Sequence, residues 1–400
     1  MSLVCVDDAL ALIREHAPAP HPVEVGLAEA HDRILLAPVA ATRDQPPFDA
    51  AAMDGYAVTA PLGEDESLTL IGESQAGRAF TGAVTAGSAV RVFTGAPLPT
   101  GSTRVIMQED VVCAGGAIRR RPSVIPSSKP HIRPRGCDFR AGDVLLQSGD
   151  RLSPWRLALV AATGQARLNV AEQPRIALVC TGDELVPPGG VARDDQVFEA
   201  NAVALAALAR QWGAEVQTMA PLGDDKAALA KALRDTTADI LVTIGGASVG
   251  DYDLTRPALE ALGVRWIFEK VDLKPGKPTA FGLLDDGRRV LCLPGNPGSA
   301  LVCAQLFLKP LIEAASGAQL LPPVRALPCA TGLPANGPRE TYLRAIIMAG
   351  SGGAPVLLPL SDQDCSHLHA FAVTSALIRR RAHAEALAPG EICDCIWLAP

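Results

Sequence analysis

The sequence predicts a multidomain α/β plus β protein. Between residues 175 and 317, buried strands alternate with helices, which is typical of a mostly parallel sheet with helices on both faces. From residue 46 to residue 149, short β-rich runs such as "SLTLIG" and "AVRVFTG" are separated by glycine and proline, which favours a small β-domain. Residues 320–400 are again strand-like and rich in proline, so we expect a C-terminal β-domain.

These changes of pattern divide the chain into four predicted units, the first of them discontinuous. They are an N-terminal helical and linker domain at 1–45 and 141–172, a small β-rich domain at 46–140, an α/β domain at 173–317 and a C-terminal β-domain at 318–400.

Three helices are predicted outside the α/β domain. Val6, Leu10 and Ile13 share one helical face, and prolines after residue 17 end that helix. A second short helix is predicted over residues 26–36. Ser153 before Pro154 is a plausible N-cap for a helix over 153–163.

The α/β domain is predicted to alternate regularly between strands and helices. The strands are expected at 175–180, 216–222, 239–244, 264–271 and 289–295, and the helices at 201–212, 226–235, 253–262 and 298–315. In such sheets, ligands bind beyond the carboxyl ends of the strands.

Composition excludes several classes of function. A net charge of −7 argues against broad nucleic-acid binding, which needs a basic excess. The ten cysteines form neither a zinc pattern nor a disulfide framework. Acids stand where a signal peptide needs bases, and no apolar run reaches the roughly 20 residues needed to cross a bilayer. We therefore expect a soluble cytoplasmic protein without nucleic-acid or membrane partners.

Three glycine-containing turns follow three predicted strands. They are "CTGDEL" from residue 180, "GGASVGDYD" from residue 245 and "PGNPGSA" from residue 294, and all should meet at one edge of the sheet. Glycines let a ligand approach the backbone, and free N–H groups at turns and helix starts bind anions. The alternative is that these residues only turn the chain.

Neither a P-loop nor a dinucleotide fingerprint explains such an anion site. The nearby carboxylates of Asp183, Glu184, Asp251 and Asp253 would repel phosphate unless a divalent cation intervened, which indicates Mg²⁺. Asp253 alone could equally be the N-cap of the next helix.

Two basic segments are further candidates for an anion-binding site. In "KVDLKPGKP", residues 270–278, three lysines flank a rigid Pro-Gly turn, and a compact lysine charge suits an oxyanion. The alternative is an exposed basic turn. "HIRPRG", residues 131–136, similarly holds two arginines close to Asp138.

Six motifs occur in an order that resembles one family. "AAAMDGYAV", "FTGAPLP", "CTGDEL", "GGASVGDYD", "KPGKP" and "PGNPGSA" are similar to those of the MoeA-type molybdopterin molybdenumtransferases, which include the C-terminal part of gephyrin. The resemblance covers essentially the whole chain. It implies a central sandwich of the molybdopterin-binding type, an elongated homodimer of four-part subunits, and a reaction in which adenylylated molybdopterin and molybdate give molybdenum cofactor and AMP with Mg²⁺.

The resemblance also implies roles for individual residues. Asp54, Thr94, Glu184 and Asp253 match catalytic positions; Asp54 and Thr94 would reach the pocket from the partner's β-domain, and Glu184 and Asp253 would hold Mg²⁺. Positions matching the molybdate site are Lys274, Lys277, Arg344 and Ser366, with Lys270 and Asp224 as further site residues. The pterin-phosphate and nucleotide positions are Thr181, Gly182, Asp183, Gly245, Gly246, Ser248, Gly250, Pro294, Gly295, Asn296, Ser299, Arg133 and Asp138.

The chain departs from the family pattern in two places. Gly136-Cys137-Asp138 stands where the family often has Gly-Glu-Asp, so one acid is lost. Glu199-Ala200-Asn201 stands where Asp-Thr-Asn is frequent, so a hydroxyl is lost. Both departures concern the rim of the pocket.

Two other functions stay open on the sequence alone. One is a molybdopterin adenylyltransferase, which shares the three turns but lacks the preceding β-domain. The other is a non-catalytic scaffold that binds the cofactor. Expected protein partners are a second copy of the chain, a molybdopterin adenylyltransferase and proteins that mature molybdoenzymes. The preference between molybdate and tungstate is also open.

Overall fold

The computed structural model describes residues 3–223, 226–245, 254–319, 324–350 and 352–398. Its centre is a six-stranded sheet, and the four strands at one side of that sheet are parallel, as predicted. In spatial order the strands are Glu215–Thr218, Arg175–Cys180, Ile240–Ile244, Arg289–Leu293, Ala280–Leu283 and Arg265–Phe268.

The other side of the sheet is antiparallel, which the sequence pattern does not predict. Ala280–Leu283 pairs antiparallel with both of its neighbours. This strand was missed because it has only four residues and includes Gly282. A Cβ at Gly282 would lie 2.7 Å from a Val264 side-chain carbon, so the neighbouring strand occupies the space that a side chain would need.

Helices cover both faces of this sheet. The predicted helices appear as Asn201–Gln211, Lys226–Asp235, Thr255–Ala261 and a long helix, Pro297–Ala315, which contains a π-helical turn at Ala304–Leu308. By length and composition the long helix could cross a membrane, but 72% of its most apolar window is buried inside the protein. It is the core helix of one face of the sheet.

The N-terminal region confirms two predicted helices. Val6–Glu15 is helical, and Val6, Ala9 and Ile13 pack into the core of the α/β domain. Pro154–Ala162 is helical, and the Ser153 side chain accepts a hydrogen bond from an N–H of its first turn.

The predicted helix over residues 26–36 is wrong. The chain forms the strand Pro22–Gly26, paired with Arg167–Ala171, and then a single 3₁₀ turn, Leu27–Glu29. Asp32 adopts a positive φ of 60°, which a continuing helix does not allow. The Leu35 N–H instead donates to the Asp150 carbonyl at 2.9 Å, so tertiary pairing replaces the helix.

The β-domain and the C-terminal domain each contain a further sheet. The β-domain sheet has the order Arg104–Met107, Gly55–Val58, Ser88–Val92, Ser67–Ser74, Ala117–Arg120 and Val111–Ala114. The C-terminal sheet has the order Leu273–Lys274, Glu340–Ala349, Ala376–Arg380, Ile392–Trp397 and Val324–Pro328, with Pro355–Pro359 paired to Glu340–Ala349. Smaller elements are the pairs Leu3–Val4 with Lys270–Val271, Val39–Ala40 with Val144–Leu146, Ala50–Ala51 with Ile132–Arg133 and Leu185–Val186 with Val197–Phe198, and the 3₁₀ turns Gln108–Asp110 and His369–Val373.

Candidate active site

The three glycine-containing turns begin at one edge of the central sheet. They follow the adjacent parallel strands Arg175–Cys180, Ile240–Ile244 and Arg289–Leu293. Hydrogen bonds continue from the strands into the turns, because the Thr181 N–H donates to the Ile244 carbonyl at 3.3 Å and the Gly245 N–H to the Leu293 carbonyl at 3.1 Å. The expected meeting of the turns is therefore confirmed for their described residues.

Glycine is needed where these turns touch. Gly245 has a φ of 88°, and a Cβ there would lie 3.1 Å from the Thr181 carbonyl oxygen. A Cβ on Gly295 would lie 3.4 Å from the Gly245 Cα. The turns thus pack backbone against backbone, and peptide groups instead of side chains form this part of the surface.

A cleft of about 480 Å³ opens between the turns. This volume falls within the usual range of small-molecule sites. The residues that line the cleft are Cys180, Thr181, Glu184, Leu185, Glu199, Asn201, Ile244, Gly245, Pro278, Pro294, Gly295 and Asn296.

Several predicted site residues take part in this cleft. Thr181, Glu184, Gly245, Pro294, Gly295 and Asn296 line it. Gly182 lies beside it, and the Glu184 carboxylate folds against the Gly182 Cα so closely that a Cβ would be 2.4 Å from one of its oxygens. Ser299 is buried in the first turn of the long helix.

Other predicted residues are not part of the lining. Asp183 places a carboxylate oxygen against Gly223, where a Cβ would be 2.7 Å away. The predictions for Asp224, Gly246, Ser248, Gly250 and Asp253 fall outside the described residues.

Six lining residues were not among the predicted site residues, and two of these, Glu199 and Asn201, carry a carboxylate and an amide. Glu199 is only 6% exposed, and its Oε1 accepts the Ala202 N–H at 2.6 Å and the Cys180 thiol at 3.4 Å. Asn201 donates from Nδ2 to the Gly295 carbonyl at 2.8 Å. This bond joins the helix Asn201–Gln211 to the turn that begins at Pro294. The sequence signal for both was the Glu199-Ala200-Asn201 run, which the family resemblance located at the rim of the pocket without giving either side chain a role.

The lysine turn, residues 270–278, runs from the central domain to the C-terminal sheet and back to the cleft. Lys270 is half-buried in a strand paired with Leu3–Val4, whereas Lys274 and Lys277 are exposed. Lys274 lies beside Thr341 in the C-terminal sheet. The Lys277 carbonyl accepts the Val271 N–H at 3.0 Å, and the next residue, Pro278, lines the cleft. The turn therefore carries two exposed cations, and one of them, Lys277, directly precedes a residue that lines the cleft.

Gly276 fixes the path of the lysine turn, and its replacement by alanine should be costly. Its φ is 115°, and a Cβ would lie 2.1 Å from the buried Cys303 sulfur. We expect Gly276→Ala to lower the free energy of unfolding by about 2–4 kcal/mol through overpacking and backbone strain. Urea unfolding measures this change.

Gly287→Ala is the matched control for that prediction. Gly287 also has a positive φ, 89°, but a Cβ there would meet nothing within 4 Å. Its alanine variant should lose only about 1 kcal/mol, which is the backbone cost alone. Equal losses in the two variants would contradict a role of the Cys303 contact.

Arg344 holds together a loop of the C-terminal domain, residues 360–368, here named the Arg344 loop. The Arg344 side chain is 3% exposed and lies over the Phe371 ring at 5.2 Å. Its guanidinium donates to the carbonyls of Asp362 and Asp364 at 3.0 Å each and of His367 at 3.2 Å. Such charge-assisted bonds to three carbonyls fix the loop more firmly than water could.

The Arg344 loop contacts the start of the long helix. The Gly298 N–H donates to the Cys365 carbonyl at 2.7 Å, and Asn296 Nδ2 lies 3.4 Å from the Cys365 sulfur. The Ser366 hydroxyl donates to the Asp364 carboxylate at 2.7 Å. The structure thus brings Ser366 to the third turn, with its proton directed at Asp364.

Comparison with known proteins identifies the family. Three family models match in chain order: the MoeA N-terminal region (domain I and II) at residues 4–164, a probable molybdopterin binding domain at 177–314, and the MoeA C-terminal region (domain IV) at 326–398. Together they cover most of the chain.

The chain belongs to the MoeA family. It is 37% identical to a molybdopterin molybdenumtransferase of Haemophilus influenzae, over 79% of this chain and 78% of the relative. It is 35% identical to molybdopterin molybdenumtransferase 2 of Mycobacterium tuberculosis, over 78% of this chain and 80% of the relative. A molybdopterin biosynthesis MoeA protein of Pyrococcus horikoshii has the same fold, with 26% identity, a TM-score of 0.83 and coverage of 99% of this chain and 100% of that one.

Family membership confirms that the protein is a transferase and that its central domain is of the molybdopterin-binding type. Because MoeA-specific regions match on both sides of that domain, the molybdenumtransferase interpretation is favoured over the adenylyltransferase.

The family positions in the β-domain lie elsewhere in the chain's fold. Asp54 Oδ1 accepts the Thr94 N–H at 2.7 Å and the Thr94 hydroxyl at 2.8 Å. These bonds, the N–H first, hold the pKa of Asp54 below its usual range. Arg133 and Asp138 are exposed near the end of the same domain. The residues that line the cleft come from the central domain, so the structure does not bring these four into it within one chain.

Proposed function

We propose that the protein inserts molybdate into adenylylated molybdopterin and releases AMP in an Mg²⁺-dependent reaction of molybdenum cofactor biosynthesis. The observation that carries this proposal is the cleft itself: backbone-lined turns suited to phosphate, next to a turn with two exposed lysines. The curated relatives are molybdopterin molybdenumtransferases, which supports the same substrates here.

The described turns suit the phosphate-bearing part of the substrate. Gly245 and Gly295 expose peptide groups because neither turn has room for a side chain. The long helix starts at Pro297, so its positive dipole end also lies at this edge of the sheet. We assign the substrate's phosphate groups to this backbone surface, with Thr181, Gly182, Asp183, Asn296 and Ser299 around it.

The residues present fit an Mg²⁺ ion that is shared with the substrate. Glu184 brings an exposed carboxylate to the cleft, and Asp253 is assigned as its partner. Within the described ranges, no three His, Cys, Asp or Glu side chains cluster as a protein-only cage. Mg²⁺ typically takes one or two carboxylates together with substrate phosphates and water. When bound, it would neutralise the charge that develops on the departing AMP.

Molybdate is assigned to the lysine turn and the Arg344 loop. Lys274 and Lys277 supply positive charge, and Lys270 adds to it from the preceding strand. Arg344 fixes the loop that presents Ser366. To donate to an oxyanion, the Ser366 hydroxyl must exchange its present bond to Asp364.

We further propose that the enzyme is a homodimer in which Asp54, Thr94, Arg133 and Asp138 of one subunit complete the cleft of the other. The support is that the Asp54–Thr94 pair is preformed in the β-domain yet is absent from the cleft of its own chain. The carboxylate is thereby held charged and oriented before any second subunit approaches.

Subunit mixing tests this arrangement. Asp54→Ala and Glu184→Ala should each abolish most AMP release, whereas their mixture should regain partial activity after subunit exchange. One hybrid cleft per mixed dimer would then carry both intact residues. Absence of rescue after exchange has been verified would place both residues in the cleft of one subunit.

The direct test of the function is AMP release from adenylylated molybdopterin, with and without molybdate and with and without Mg²⁺. Release that depends on both would support the proposal, and running tungstate in parallel measures the preference between oxyanions. Binding of the substrate without turnover would favour a scaffold. Formation of the adenylylated compound from ATP would favour an adenylyltransferase.

The proposed setting is the cytoplasm, because the spacing of the ten cysteines in the sequence does not indicate a disulfide framework. We expect a molybdopterin adenylyltransferase to supply the substrate and molybdoenzyme-maturation proteins to receive the product, with no nucleic-acid or membrane partner.

A further inference from the structure

Two hydrogen-bond acceptors at the start of the helix Asn201–Gln211 lack a complete set of donors among the described residues. Asn201 Oδ1 has no partner there, and the Glu199 carboxylate accepts only through Oε1; both residues line the cleft. The acceptors come from residues two positions apart in the chain, so they form one section of the cleft wall.

The orientation of Asn201 is determined by its partner. Its Nδ2 donates to the Gly295 carbonyl, which can only accept, so the amide oxygen must point the other way. That oxygen is buried and has no hydrogen-bond partner among the described residues. Folded proteins rarely leave such an acceptor unpaired, so a donor from a ligand is the simplest completion.

Glu199 is held in place through one of its two oxygens. Oε1 accepts both the Ala202 N–H and the Cys180 thiol, and no residue in the described part of the chain donates to Oε2. The side chain is 6% exposed, so a group that reaches it must enter the cleft. A buried carboxylate strongly favours N–H donors and disfavours phosphate.

A ligand that donates hydrogen bonds to both acceptors must present two neighbouring N–H groups. The 2-amino-4-oxopyrimidine edge of a pterin does so, with its ring N3–H and its 2-amino group. Adenine instead presents one amino donor beside a ring-nitrogen acceptor, which would face an acceptor here. The observed acceptors therefore discriminate between the two ring systems of an adenylylated pterin.

We propose that Glu199 and Asn201 are specificity-determining residues that recognise the 2-amino-4-oxopyrimidine edge of the pterin. This inference rests on the proposed function. It places the pterin ring at the start of the helix Asn201–Gln211 and the phosphates on the glycine turns. It also explains why an acid is useful at Glu199, in a cleft that must otherwise attract anions.

The test compares 6-hydroxymethylpterin with 6-hydroxymethyllumazine, in which a carbonyl replaces the 2-amino donor. Binding is measured by pterin fluorescence or calorimetry at pH 7. The wild-type protein should bind the pterin roughly tenfold to a hundredfold more tightly, which is the usual effect of a charge-assisted hydrogen bond. Glu199→Gln should lose most of that preference, because the pterin then weakens far more than the lumazine.

Glu260→Gln is the control, since Glu260 is exposed on the helix Thr255–Ala261, which packs on the opposite face of the sheet. It should keep the wild-type preference. Glu199→Asp keeps the charge but is one methylene shorter, so it should retain part of the preference, and thermal unfolding verifies that each variant is folded. A purely structural role of Glu199 would weaken both probes equally and would overturn the proposal, as would equal affinities in the wild-type protein.

Guanine carries the same edge as a pterin, so GMP and AMP form two further arms. GMP should bind more weakly than the pterin but compete with it. AMP should not displace the pterin from Glu199 and Asn201. Tighter binding of GMP than of the pterin would assign the section to a guanine nucleotide. Failure of the proposed function shows separately, as wild-type protein that releases no AMP in response to molybdate.

Discussion

Arg344→Ala is expected to open the Arg344 loop and to reduce molybdate-dependent AMP release at least a hundredfold. The variant loses three guanidinium bonds to carbonyls and the contact with Phe371. With charge-assisted bonds at about 1.5–3 kcal/mol each and water partly replacing them, we expect the loop to lose about 3 kcal/mol of local stability. Ser366 would then no longer be held beside the third turn.

Hydrogen exchange at the Gly298 amide reports on this change directly. That N–H donates to Cys365 in the loop, so its protection should fall in Arg344→Ala. Arg344→Lys should be nearly as defective, because an ammonium group cannot reach three carbonyls in one plane. Arg381→Ala is the control: Arg381 is exposed and only 3.7 Å from Asp7, a surface pair of little energetic value. Unchanged Gly298 protection together with normal turnover in Arg344→Ala would refute this role.

Lys277→Ala is expected to raise the molybdate concentration that gives half-maximal AMP release by roughly tenfold to a hundredfold. A dianion beside the lysine turn gains charge-assisted hydrogen bonds of about 1.5–3 kcal/mol from each ammonium group before desolvation is deducted. About 1.4 kcal/mol corresponds to a factor of ten. In the proposed binding mode, the adenylylated pterin contacts chiefly the glycine turns and the start of the helix Asn201–Gln211, so its affinity should change much less.

Lys226→Ala provides the matched control for this prediction. Lys226 is an exposed lysine of the same domain, on the helix Lys226–Asp235. Its replacement tests whether loss of one positive charge anywhere on the domain is sufficient. If the affinity for the pterin collapsed in Lys277→Ala while the molybdate dependence stayed constant, the lysine turn would belong to the phosphate site.

The sequence alone predicted the architecture and the centre of the site. Strand–helix alternation over residues 175–317 is a local pattern, and it led to the parallel part of the sheet and to helices close to their observed bounds. Parallel strands place their following turns at one edge, so the meeting of Thr181, Gly245 and Pro294 followed from strand order without knowledge of any side chain.

Some elements depended on partners far away in the chain. Residues 26–36 have an apolar pattern compatible with a helix, but Leu35 pairs with Asp150, a contact between residues more than a hundred positions apart. The strand Ala280–Leu283, next to the edge of the sheet, is too short for its pattern to be recognised, and its pairing with two neighbouring strands defines it. In both cases long-range hydrogen bonds outweigh a weak local preference.

The tertiary structure alone decided what the polar side chains of the site do. The family resemblance implies a site role for Arg344, and its burial and three carbonyl partners show that it holds a loop in place. The family resemblance located Glu199 and Asn201 at the rim of the pocket, but only the structure shows that both line the cleft and that Asn201 Oδ1 has no donor among the described residues. Sequence patterns report which face of an element is buried. Whether a buried polar atom has a partner depends on groups that only the folded chain brings together, and here those groups come from separate strands and domains.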